Sequence, residues 1–236
     1  MRELIPKAEW GPGPWQDEPD RAEWRAAAGL PAMAIRNTHT SGSWCGYVAV
    51  APGHPFYGKH YGQCLRKNCK KAKLTAKQQL NHSRMKRERA KGAEERRWAE
   101  MSIRMNEMFV RWEKQGHYGK SSPCSHYDAR PEGILEVHGG ITYSNACHGD
   151  ICHIPREGEP HEVWWFGFDC AHSGDVSPLM DKTLNDLMPE RAESLRGYGE
   201  SYKDLAYVKD EVESLALQLA TIGEAGRYDV LAELRR

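Results

Sequence analysis

Apolar positions along the chain follow two periods, one of strands and one of helices. Met33–Arg36 and, after the polar turn Asn37–Gly42, the run Cys45–Ala51 carry the β-branched and aromatic patches of short strands. Ile134–Val137 and Ile141–Ser144 read the same way. Val163–Phe168 is the strongest strand signal, apolar at every position as a central strand is. Trp98, Met101, Met105, Met108 and Trp112 are spaced 3, 4, 3 and 4, and so are Leu205, Val208, Val212, Leu215 and Leu219. The first seam predicts one helix or two over Leu74–Glu113, interrupted near Gly92, with the seam as core. The second predicts a helix over 201–219 that lays its apolar face on a sheet, with Ser201 and Asp204 as its capping box.

These elements define an α+β fold. An antiparallel or mixed sheet is expected from residues 33–51, 134–144 and 162–168, with the C-terminal helix packed on it. One α+β domain would comprise 1–62 and 121–220, with a basic helical insertion at 63–120 and a tail at 221–236. Residues 1–31, where Trp10, Trp15 and Trp24 alternate with prolines and acids, read as an irregular arm packed across the domain, with a short helix around Asp20–Ala28. Residues 176–200 read as a long connection.

Composition changes this picture in three places. No stretch reaches the roughly 18 apolar residues that span a bilayer, and Met1–Trp15 lacks a signal pattern, so the expected place of work is a cytoplasm. In that compartment the seven cysteines read as buried thiols or metal ligands rather than a disulfide framework. The zero net charge hides thirteen Lys or Arg against three Glu between Cys64 and Arg97. A helix that basic suits nucleic acid or another polyanion, through residues such as Lys70, Lys71, Lys86, Arg87 and Arg89. The alternative is a solvated helix neutralised by the acidic remainder, and the Met/Trp seam offers a route to a homo-oligomer.

Candidate chemistry gathers after three strands. His54 follows the first, within Pro52–Gly58. His138 follows the second, before two glycines. Asp169, His172 and Asp175 follow the third. Two imidazoles with one or two carboxylates suit a divalent metal, zinc among them, and such an ion activates water against a phosphodiester, amide or glycosidic bond. His54, His138, Asp169, His172 and Asp175 are the candidate ligands. His138, Asp169 and His172 are the candidate acid/base groups. The bland alternative is turn-capping carboxylates and histidines bonded to main chain. Cys147 and Cys152 with His148 and His153, plus Cys124 or Cys170, are candidates for a structural zinc site, set against buried free thiols.

Five stretches resemble a group of small, uncharacterised proteins common in phages of actinobacteria and related bacteria. They are Glu9–Asp20 (EWGPGPWQDEPD), Cys45–Pro55 (CGYVAVAPGHP), Val137–Tyr143 (VHGGITY), Trp164–Asp175 (WWFGFDCAHSGD) and Tyr202–Leu219. The resemblance implies a phage accessory role, such as cleaving or sequestering a nucleotide signal. The resulting expectation is a metal-assisted hydrolase of a small phosphorylated or nucleotide-like substrate. The alternative is a non-enzymatic binder of an anionic ligand or a host protein.

Overall fold

The computed structural model describes residues 5–65, 76–114, 127–187 and 200–225. The chain divides into two compact units, one built from 1–61 and 132–236 and the other from 62–131.

The first unit holds a five-stranded antiparallel sheet in the order β1-β2-β3-β5-β4. Its strands are β1 (Arg21–Arg25), β2 (Pro31–Arg36), β3 (Trp44–Val50), β4 (Tyr143–Ala146) and β5 (Trp164–Asp169). Among the described residues the α-helices are α1 (Ala76–Arg89), α2 (Ala93–Lys114), α3 (Pro131–Ile134), α4 (Pro178–Leu187) and α5 (Leu205–Ala225). The fold is therefore α+β, with the C-terminal helix packed on the strands. No helix of the described residues is long and apolar enough to cross a membrane.

Strand alternation sends Gly46, Val48, Phe166 and Phe168 to the face that α5 covers. Val208, Val212, Leu215, Leu219 and Ile222 of α5 are buried there. Burying five such side chains contributes on the order of 10 kcal/mol before chain entropy is set against it. The opposite face of the sheet is also covered. Met33, Tyr47, Ala49, Val163 and Trp165 form a cluster there, against which Tyr143, Cys147 and Ile151 pack. This two-sided burial is why β5 is apolar from Trp164 to Phe168.

Gly46 sets how closely α5 approaches. A Cβ on it would meet Phe168 at 2.6 Å and Val212 Cγ2 at 2.7 Å. Gly46→Val is expected to lower stability by about 1–3 kcal/mol through overpacking. Urea unfolding checks this: an unchanged midpoint would mean that the helix simply rides outward at no cost.

A polar network ties the N-terminal arm to the sheet and to α5. Glu18 accepts bonds from Arg36 Nη2 (2.6 Å), Trp44 Nε1 (3.0 Å), the Tyr202 hydroxyl and the main-chain N–H of Leu205 (2.9 Å). The Arg36 side chain is fully buried, lies over the Trp44 ring and also pairs with Asp20. Glu18 thus places a carboxylate at the first turn of α5, where the helix dipole favours it.

Several local expectations are corrected. Asp20–Ala28 is no helix: Arg21–Arg25 pairs with β2 as an edge strand, and Trp24 Nε1 donates to Glu213 of α5. Ile134–Val137 is not a strand. Its chain turns instead, with Gly140 N–H on the Val137 carbonyl, and the main-chain N–H of His138 goes to Glu211 rather than to a ladder. The connection after Asp175 contains α4. Of the expected capping box only Asp204 caps α5, accepting from the N–H of Tyr207, while Ser201 forms a parallel bridge with Asp175.

Glu132 N–H donates to the Tyr61 carbonyl at 3.0 Å, so the first unit's chain leaves and returns at one point. The second unit is a helical hairpin, broken at Gly92 as its sequence implies. Its helices meet through Ser83 and Asn106 (3.0 Å), with Leu80 and Ala99 buried. The Met/Trp seam is not its core. Trp98, Met101 and Met105 are 60, 47 and 49% exposed and Met108 is half-buried, whereas Ala99, beside Trp98, is the buried position; the Trp112 side chain lies outside the described ones.

Candidate functional site

Two loops meet the first turns of α5 at the end of the sheet where β3 begins and β5 stops. One carries His138 and Gly139; the other runs from Asp169 to Asp175. Cys45 and Asp169 are register partners, which fixes that end. Beyond it, Cys170 N–H bonds the Trp44 carbonyl, and Asp175 N–H turns back to His172.

Asp175 is the pivot. Its side chain is 3% exposed, and its Oδ2 lies 2.7 Å from His138 Nε2, accepts the main-chain N–H of His172 (3.0 Å) and stands 3.7 Å from His172 Nδ1. His138 Nδ1 lies 3.0 Å from the Tyr207 hydroxyl. Tyr207 is shifted above the ordinary phenol value, first by burial and then by the charges of Glu211, Cys170 and Asp175, so its proton stays on. An ionised Asp175 can only accept, so Nε2 is the donor of this pair, and in the neutral imidazole Nδ1 then accepts from the Tyr207 hydroxyl.

His138, His172 and Asp175 together offer three ligand atoms that all lie within 4.8 Å of one another. His172 Nδ1 is buried and has no hydrogen-bond partner among the described residues. Its seat depends on Gly139 (φ 64°), since a Cβ there would overlap the imidazole ring. Gly139→Ala is expected to push His172 out of the cluster and to add strain at a positive φ. Its thermal midpoint should fall only modestly, while the cluster's ligand affinity falls at least tenfold, roughly the cost of a disturbed metal ligand. Parental affinity in that variant would show that His172 is not needed.

Asp169 stands at the rim. One oxygen accepts from Thr142 Oγ1 (2.9 Å) and the other lies 4.0 Å from His172 Nδ1, so it caps a turn beside the cluster rather than joining it. His54 is corrected outright. It follows the other end of β3, and antiparallel pairing puts that end away from Asp169. Its Nε2 donates to the Leu219 carbonyl (2.9 Å) and its Nδ1 accepts from Phe56 N–H (3.0 Å). Tyr207 and Leu219 lie about 18 Å apart along α5. Burial depresses the His54 pKa, which the Leu219 carbonyl offsets in part; the residue is a structural tie.

The cysteines are corrected too. Cys147 and Cys152 are joined in a disulfide, their Cα atoms 4.6 Å apart. The main-chain bridge between His148 and Ile151 folds the loop back and brings the two together. His153 completes a second group that could hold a metal. Cys170 is not part of it: it is a buried free thiol, raised well above its ordinary pKa by burial and by the nearby charges of Asp175, Cys45, Asp169 and Glu211. Cys45 is likewise pushed up to about 11, mainly by burial.

Of the basic candidates, Lys86, Arg87 and Arg89 are exposed on α1, with Arg87 paired to Glu100 (3.3 Å). Lys70, Lys71 and Cys124 lie outside the described residues. The sequence reading missed Tyr207 and Glu211. Tyr207 and Glu211 sit one turn apart beside the α5 seam, an arrangement with no motif to mark it.

In comparisons with protein-family models, curated proteins and solved structures, no match to this chain was found.

Proposed function

We propose that His138, His172 and Asp175 hold a divalent cation and that the protein is a metal-assisted hydrolase of a small phosphorylated or nucleotide-like substrate. The observation that carries this reading is the convergence of the three ligand atoms within 4.8 Å, with the buried His172 Nδ1 left unpartnered beside Asp175. Two imidazoles and one carboxylate are a donor set that zinc, manganese and iron accept while positions stay open. Asp169, Asp175 and Glu211 make the neighbourhood acidic, so a bound cation is also what would make an anionic substrate welcome there.

The chain's own groups have definite parts in this scheme. His138 would bind through Nε2, moving its proton to Nδ1, which then donates to the Tyr207 oxygen and orients the ring. Tyr207, held protonated, can give a proton to a leaving oxygen. Asp169, with one oxygen free of the Thr142 bond, can take a proton from water at the rim. An ion held by these residues would supply Lewis acidity and a more nucleophilic water near neutral pH.

A second reading has its own support: both His138 nitrogens already have partners. Asp175–His138–Tyr207 can work as a metal-free proton relay, or the same pocket can bind without turnover. Elemental analysis of the untagged protein, with hydrolysis of chromogenic phosphomonoesters and phosphodiesters before and after chelation, tests the choice. Near-stoichiometric metal and chelator-sensitive turnover are expected. Turnover that survives complete metal removal would favour the relay, and metal without turnover on any phosphoester would favour the binder.

A further inference from the structure

The loop that covers the sheet face opposite α5 carries a second cluster, built from other residues. Cys147 and Ile151 pack against the cluster around Tyr47 and Trp165. Arg21 anchors the loop from β1 through the carbonyls of Asp150 (2.6 Å) and Cys152 (3.1 Å). His153 follows at once, its ring 5.8 Å from that of Trp165 in an edge-on arrangement. Both ring nitrogens of His153 are buried and neither has a hydrogen-bond partner among the described residues. A buried imidazole with two unmet nitrogens is costly unless something binds it. The two nearest strong ligands are the sulfurs of Cys147 and Cys152, within 4.8 Å of it.

We propose that Cys147, Cys152 and His153 form a thiolate–imidazole zinc site that takes the place of the disulfide when the loop is reduced. Reduction is a balanced exchange. A cellular or added dithiol gives two electrons and two protons to the sulfur–sulfur bond, yielding two Cys thiols while the donor becomes a disulfide. Zinc then displaces both thiol protons to solvent. Tetrahedral zinc with sulfurs at about 2.3 Å holds them roughly 3.8 Å apart, so each sulfur moves only about an ångström from its bonded position. The main-chain bridge between His148 and Ile151 keeps the two cysteines paired while this happens. The fourth position falls to solvent or to the exposed His161, which is near enough for its charge to act on His153. In a reducing compartment the dithiol is the ordinary state of such a pair, and metal binding is its usual use. Disulfide and zinc are thus two closures of one loop, and either keeps it seated on Trp165.

The test uses cobalt(II) as the probe on the whole chain carrying Asp175→Asn, which weakens the first cluster. After reduction with a phosphine under nitrogen, cobalt titration is expected to reach one equivalent. It should show sulfur-to-cobalt charge-transfer bands in the near ultraviolet and intense tetrahedral bands in the visible, both erased by one equivalent of zinc. The oxidised protein should show none. Cys147→Ser and Cys152→Ser should each lose the charge-transfer bands. His153→Ala should keep thiolate bands but bind at least tenfold more weakly, in line with loss of a ligand or its support. Circular dichroism of each variant confirms that the fold is retained; the reduced parent and His153→Ala keep the test decisive if a serine variant unfolds. A reduced parent without charge-transfer bands would overturn the proposal. So would bands that survive the loss of both cysteines, or an affinity unchanged by His153→Ala. Failure here leaves the His138 cluster untouched, because the two sites share no residue.

Discussion

Glu18→Ala is expected to lower the stability of the sheet-bearing unit by about 3–5 kcal/mol, the usual effect of stripping one partner from a buried ion pair. The Arg36 guanidinium would stay buried with only the half-exposed Asp20 as counter-ion. Trp44 Nε1 and the Leu205 N–H would lose their acceptor, and α5 its anion at the first turn. Glu18→Gln preserves shape and most hydrogen bonds, so it should cost less. The same carboxylate sets an acid limit. Burial alone would raise its pKa, but bonds from Tyr202, Leu205, Trp44 and Arg36 outweigh burial and hold it below the ordinary value. A depressed carboxylate adds stability that is complete above its unfolded pKa and is lost as pH falls through its folded one. Melting temperature should therefore drop below the ordinary carboxylate range more steeply for the parent than for Glu18→Gln. Parallel acid limbs for the two proteins would refute this account of the network.

Asp175→Ala is expected to abolish retention of a metal at the first cluster and to cost about 2–4 kcal/mol as well. Two groups, the His138 Nε2–H and the His172 main-chain N–H, would be left buried without an acceptor. Asp175→Asn separates the two roles. An amide oxygen can still accept both bonds, so most of the stability should remain, whereas the lost charge should weaken metal binding at least tenfold. Metal content at the parental level in a folded Asp175→Asn would remove Asp175 from the ligand set. Calorimetric melting and elemental analysis of the same preparations give both readings.

The sequence made some of this legible. Periodicity located β2, β3, β5 and α5, because each buries one or both faces and writes its burial into the spacing of apolar residues. The clustering of His138 with His172 and Asp175 was anticipated as well. The error over His54 has a simple cause: a residue after a strand can be assigned to one end of a sheet only when strand directions are known. β3 and β5 run antiparallel, so His54 and Asp169 go to opposite ends. Edge strand β1 was missed because Arg21–Arg25 is half polar and pairs on one side only. The disulfide was missed because a Cys-x4-Cys spacing says nothing until the turn at Gly149 folds its ends together. Tyr207 and Glu211 are brought to His138 by tertiary packing alone.

The bond between Tyr61 and Glu132 has a consequence for how the gene can change. The chain departs from the sheet-bearing unit and rejoins it at the same place. The entropy of closing a loop grows only with the logarithm of its length, so carrying residues 62–131 costs the Val50–Trp164 pairing about 1 kcal/mol. The hairpin is therefore nearly free to lengthen, shrink or be exchanged, and its basic charge can be rewritten by selection without the His138 end of the sheet registering the edit.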